Sequence, residues 1–135
     1  RFCLGPWRCV PDTRQAYVLT LSEELPPLSR CLQVNISGES SKQGVAPAEL
    51  PVLARETASL PNIQLRGLMS LPEPTDDRQQ QHEAFAGVRA LFDELNREGY
   101  GLDTLSMGMS GDLEAAIEEG STMVRIGTAI FGART

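Results

Sequence analysis

The chain has one lysine, one histidine and no cluster of basic residues, and each shortage excludes something. Eighteen acidic residues outnumber twelve basic ones for a net charge of −6, so no cationic face is available to neutralise a nucleic-acid backbone or an anionic membrane. No apolar run approaches the ~18 residues of a membrane span, and no long apolar core of the kind a secretory signal needs follows the N-terminus. The three cysteines, Cys3, Cys9 and Cys31, are odd in number and contain no CxxC pair. They support neither a zinc site nor a disulfide framework and suit reduced thiols in the cytoplasm. His82 stands among Gln79, Gln80, Gln81 and Glu83 and is expected to be exposed on a polar helix face. No Ser-His-Asp, Cys-His or metal-spaced set is present, so neither a catalytic residue nor a metal ligand is assigned. Asn35-Ile36-Ser37 matches a glycosylation sequon but falls in an expected buried strand and is read as chance.

At 135 residues the chain can bury one core, but it is shorter than the ~250 residues of a complete (β/α)8 barrel. It begins with Arg1, which suggests a processed, truncated or partial product. Residues 1–30 form an atypical N-terminal segment carrying Pro6, Pro11, Pro26 and Pro27, with one candidate strand at residues 16–21. From Cys31 the pattern becomes regular. Residues 31–37 are β-rich, and a helix follows between Pro47 and Leu60, with Pro51 at the start of its regular part. Residues 65–71 read as a buried strand stopped by Pro72 and Pro74. Phe85, Val88, Phe92 and Leu95 recur with a 3.6-residue period, predicting a helix from about Thr75 to Asn96, capped by Thr75 or Asp76 and ended by Gly99. Residues 104–108 are the next strand. A helix over 111–119, with Leu113, Ala116 and Ile117 inward, is stopped by Gly120, and a last strand covers 122–126. This alternation predicts an α/β fold with about four parallel strands and crossover helices, the strand-end loops gathered on one side.

The segment from Leu105 to Gly132 is the richest in chemistry. It holds two glycine-bearing turns with a short helix between them, and both turns fall at carboxyl ends of neighbouring strands. Backbone N–H groups bared by glycine beside a helix start suit an anion. Ser110 could cap that helix or donate to a phosphate oxygen, and Gly127-Thr128, after the strand over 122–126, offers further donors or a β-bulge or turn. Arg125, inside the apolar run MVRIG, is either a ligand contact or an ion-pair partner of Asp112 or Glu114. Lys42, the only lysine, lies among Glu39, Ser40, Ser41 and Gln43 and reads as a solvated loop residue rather than a covalent catalyst.

The motifs LQVNISGESSKQG, LRGLMSLP, LSMGMSGDLEAAI and GSTMVRIGTAIFGAR, in this order over residues 31–134, are highly similar to those of the pyridoxal phosphate homeostasis proteins. That family resembles the barrel domain of alanine racemases. The resemblance implies that residues 31–135 are the C-terminal part of a (β/α)8 TIM-type barrel, an incomplete barrel here, that binds pyridoxal 5'-phosphate. By the same resemblance Ser106, Gly108, Ser110, Gly127 and Thr128 cradle the phosphate, and Arg125 lies near the pyridine nitrogen. A guanidinium can only donate, so it favours an unprotonated ring nitrogen and a poor electron sink. The family's lysine motif, like AVSKT, and its FGEN segment have no counterpart in this sequence.

The reading that follows is a non-enzymatic protein of intracellular cofactor homeostasis, cytoplasmic, with pyridoxal-phosphate-dependent enzymes as recipients. The alternatives are a racemase relative and a truncated remnant without function. An incomplete barrel is expected to leave sheet edges and an apolar inner side exposed, and hence to self-associate.

Overall fold

Alternating apolar strands and amphipathic helices from residue 28 onward build a parallel sheet with helices against one face. The computed structural model describes residues 8–10, 27–38 and 44–133. Strand β1 is Arg8–Val10, β2 Leu28–Val34, β3 Ile63–Ser70 and β4 Thr104–Ser106, and the sheet runs β1-β2-β3-β4 with every pair parallel. A turn of 3-10 helix at Pro47–Glu49 leads into helix α1, Leu50–Ala58. Helix α2 is Arg78–Arg97, α3 Leu113–Glu118 and α4 Thr128–Phe131. The expected α/β, incomplete-barrel architecture is therefore present. The expected strand at residues 16–21 and Lys42 lie outside the described residues.

The register explains the core. Leu32, Leu68 and Leu105 lie side by side across β2, β3 and β4, and so do Gln33, Met69 and Ser106. Neighbouring residues of a strand point to opposite faces. The leucine row joins Leu50, Leu53, Phe85, Val88, Phe92 and Leu95 in one apolar cluster under the helices. Cys31, Gln33, Met69, Thr104 and Ser106, on the other face, are also buried. Among the described residues of that face the apolar side chains Cys31 and Met69 are buried, where an incomplete barrel is expected to expose them. Large apolar side chains are exposed instead on α4, where Phe131 is 84% accessible and Ile130 68%.

Several boundaries differ from the sequence reading for identifiable reasons. Strand β2 ends at Val34 rather than at residue 37, because Val45 takes over the next ladder bonds: Asn35 N–H donates to Val45 O and Val45 N–H to Gln33 O, both at 2.9 Å. Helix α2 is capped by Asp77, not Thr75 or Asp76. The Asp77 carboxylate accepts the Gln79 N–H at 2.9 Å, while Thr75 Oγ1 accepts the Asp77 N–H at 3.1 Å. In α3, Ala115 and Ala116 are buried while Ile117 is 55% exposed, so Ile117 is not on the inner face. The expected strand over 122–126 reduces to a single bridge between Met123 and Ser106. The Thr122 hydroxyl takes the Leu105 N–H that a longer ladder would have used, while Leu105 O accepts the backbone N–H of both Thr122 and Met123.

Where the β3–β4 pairing begins, Arg66 of β3 grips Asp103, just before β4, through two bonds: Nε to Oδ1 at 2.9 Å and Nη2 to Oδ2 at 2.6 Å. These bonds hold the Asp103 carboxyl below the ordinary carboxylate value. Among the described residues no helix is long and apolar enough to cross a membrane.

Candidate functional site

The opposite end of the sheet, where β3 and β4 finish, is closed by short side chains and backbone. Ser106 ends β4 with no accessible surface, and its hydroxyl has no hydrogen-bond partner among the described residues. A buried hydroxyl left in that condition costs roughly 1–3 kcal/mol. Two residues on, Gly108 has φ +103°, which L side chains rarely adopt. A β-carbon there would lie 2.6 Å from the Ala116 β-carbon, so only glycine lets α3 close over the turn.

The two glycine turns are tied to each other. Arg125 N–H donates to Gly108 O at 2.9 Å. The Arg125 guanidinium reaches across to the end of β3, where Nη2 donates to Ser70 O at 2.8 Å. The two carboxylates considered as its partners are engaged elsewhere. Asp112 Oδ1 accepts the Met109 N–H at 2.7 Å, and Glu114 pairs with Arg78 at 3.3 Å. Ser110 does not cap its own helix. Its hydroxyl accepts the Ala129 N–H of α4 at 3.1 Å, and Asp112, at the cap position of α3, makes no side-chain cap bond. Gly127 and Thr128 form neither a bulge nor a strand end. Gly127 is the residue before α4 and its carbonyl accepts the Phe131 N–H at 2.8 Å; Thr128 opens that helix, and both are exposed. All six residues picked from the sequence thus stand on two segments that these bonds hold together at one end of the sheet.

Other expectations change. His82 is not a free surface residue. Its ring bridges α2 to the end of α3, with Nε2 2.9 Å from Glu118 Oε2 and Nδ1 2.8 Å from Glu119 Oε1. An open groove of about 380 Å³ beside Ser110 and Gly111 is lined by Asp76, Asp112 and Glu114, against Arg78. Arg78 is already held by Glu114 and Glu118, so the groove does not suit an anion. Among the described residues no group of three or more His, Cys, Asp or Glu could hold a metal ion.

The sequence reading missed Ser70, Ser121 and Thr122. Ser70 contributes only its carbonyl to the arginine, which no residue pattern announces. Ser121 and Thr122 do leave a trace: a polar pair directly after the helix-ending Gly120 and directly before an apolar run.

A parallel α/β sheet with glycine turns at its carboxyl end agrees with the sequence profile of the alanine racemase N-terminal domain, which matches residues 9–135; the chain belongs to that family. It is 66% identical, over 110 residues, to the pyridoxal phosphate homeostasis protein of Pseudomonas aeruginosa, covering 82% of this chain and 46% of that one. The chain thus spans about half the length of that relative. PipY of Synechococcus elongatus is 31% identical, with 94% of this chain and 61% of PipY covered. The TM-score is 0.80 to its structure without PLP and 0.68 to that with PLP bound. Alanine racemase from Corynebacterium glutamicum shares the fold at 17% identity, with a TM-score of 0.75 over 95% of this chain and 36% of that one.

Proposed function

We propose that this chain binds pyridoxal 5'-phosphate at the carboxyl end of the sheet and serves the intracellular homeostasis of that cofactor by holding and releasing it without turnover. The observation that carries the reading is the buried Ser106 hydroxyl, unpartnered among the described residues, beside a turn that only glycine can make. A phosphate oxygen would supply the missing acceptor. Gly108 and Ser110 on one segment and Gly127 and Thr128 on the other would complete the cradle, with Arg125 toward the ring. The homeostasis name of the Pseudomonas aeruginosa relative and the PLP-bound PipY structure support this reading.

When bound, the cofactor supplies an aldehyde and an electron-withdrawing pyridine ring. Every group this chain offers there is a donor or a neutral dipole. A guanidinium stays protonated and cannot accept a proton from the ring nitrogen, so the arrangement favours carriage over carbanion chemistry. Recipient enzymes dependent on the cofactor complete the proposed role. Calorimetry with pyridoxal phosphate and with pyridoxal is the test. The phosphate-bearing compound is expected to bind at least ten times more tightly. Equal affinities would refute the phosphate cradle.

A further inference from the structure

We infer that Ser121 is the positioning residue that sets the Ser106–Gly108 turn and Arg125 in mutual register for the ligand; this rests on the binding reading above. The segment that carries Arg125 lies beside β4 through one bridge, Met123 to Ser106, and four backbone bonds: Thr122 and Met123 N–H to Leu105 O, Met107 N–H to Met123 O and Arg125 N–H to Gly108 O. Ser121, at the start of this segment, converges on the same backbone groups and fixes them from both its backbone and its side chain.

The backbone of Ser121 is fixed by the end of α3. Gly120, with φ +95°, turns the chain; its N–H donates to Ile117 O at 3.0 Å and the Ser121 N–H donates to Ala116 O at 2.9 Å. This pair of bonds is the Schellman arrangement, which ends a helix and fixes the exit direction of the chain. Ala116 is also the residue whose side chain covers Gly108, so one helical turn controls both segments.

The side chain of Ser121 faces three backbone carbonyls. Its hydroxyl oxygen lies 2.6 Å from Met107 O, 3.1 Å from Leu105 O and 3.1 Å from Met123 O. One hydroxyl proton serves one acceptor at a time, and Met107 O is the nearest. Those carbonyls flank Ser106 on both sides and belong to the residue that bridges to it. Thr122 adds a second link, its Oγ1 accepting the Leu105 N–H at 2.7 Å. Three positions further on is Arg125, whose N–H returns to Gly108 O at 2.9 Å. Removing the Ser121 hydroxyl takes a donor from three converging carbonyls, of which Leu105 O and Met123 O keep backbone donors, and breaks a side-chain link between Met107 and Met123.

The test compares S121A with S121T, which keeps the hydroxyl, in the full chain. Backbone amide exchange is measured at Met107, whose N–H donates to Met123 O, and at Arg125, with Phe92 of α2 as the reference. Pyridoxal phosphate affinity is measured in parallel. In S121A, exchange at Met107 and Arg125 is expected to accelerate at least tenfold with Phe92 unchanged, and affinity to fall at least tenfold. S121T is expected to stay within threefold of the parent in both. Unchanged exchange and affinity in S121A overturn the inference, and so does an equal acceleration at Phe92, which marks a purely structural role. If S121A does not fold, S121C takes its place with the same two readouts; its thiol is a weak donor, and parent-like values there overturn the inference. Should the parent chain fail to bind pyridoxal phosphate, the binding reading falls, while ligand-free exchange still decides whether Ser121 positions the turn.

Discussion

The two ends of the β3–β4 pair are built from opposite materials. At the amino ends, Arg66 and Asp103 close the sheet with a charged fork that satisfies both partners in the open. At the carboxyl ends the closure is made by hydroxyls, carbonyls and glycine, and one buried hydroxyl, that of Ser106, finds no partner among the described residues. The first end has its bonding completed by the chain. The second carries a cost that the chain does not recover by itself. A region that leaves a buried polar group unpaired while its counterpart is fully bonded is where a ligand stands to contribute most.

The sharpest way to break this comparison is at Gly108. Gly108→Ala forces an L side chain into a positive φ and against Ala116; left-handed strain and overpacking together are expected to cost about 3 kcal/mol and to abolish pyridoxal phosphate binding. Denaturant melts of the variant check this, and parent-like stability would show that α3 can move away from the turn.

Ser106→Ala separates stability from binding. Removing a buried hydroxyl that has no partner is expected to leave stability unchanged or raise it by about 1 kcal/mol, while affinity for pyridoxal phosphate falls about tenfold, the ~1.4 kcal/mol of one hydrogen bond. A melt and a titration on the same preparation decide it. Loss of stability in this variant would mean that the hydroxyl is satisfied in solution and that the two ends are not different in kind.

The smallest effect belongs to the amino end. Asp103 has its folded-state carboxyl pKa depressed, so its contribution is present above the ordinary carboxylate pKa of ~4 and is lost as pH falls through the lower folded value. Asp103→Asn is therefore expected to lower the melting temperature slightly at neutral pH and to flatten its decline on acidification. The pair is solvent-exposed, so added salt should shrink the difference. An identical acid profile for parent and variant would remove the fork from the account of stability.

Much of this was legible in the order of residues. The 3.6-residue recurrence of Phe85, Val88, Phe92 and Leu95 specified α2 and its buried face, because helix periodicity is local. The apolar runs stopped by proline or glycine located β3 and β4, and the glycine turns and Arg125 pointed to one end of the sheet. Local sequence also explains the helix stop at Gly120 and the helical entry at Pro47 and Pro51.

What only the tertiary structure decided are the partners. Ser110 could cap the helix ahead of it, yet its hydroxyl serves Ala129, nineteen positions away. Ser121 looks like an ordinary residue after a helix, yet it holds carbonyls fourteen and sixteen positions back. Residues 122–126 have the composition of a strand, but strand identity depends on a neighbour's free ladder groups, and the Leu105 N–H is spent on the Thr122 hydroxyl while Arg125 N–H goes to Gly108 O. The burial of the inner face and the unpartnered state of Ser106 are of the same kind. A residue's type sets which bonds it can make, and that much is written along the chain. Which bond it makes depends on what the fold brings within about 3 Å, and groups so far apart in sequence meet only once the sheet has assembled.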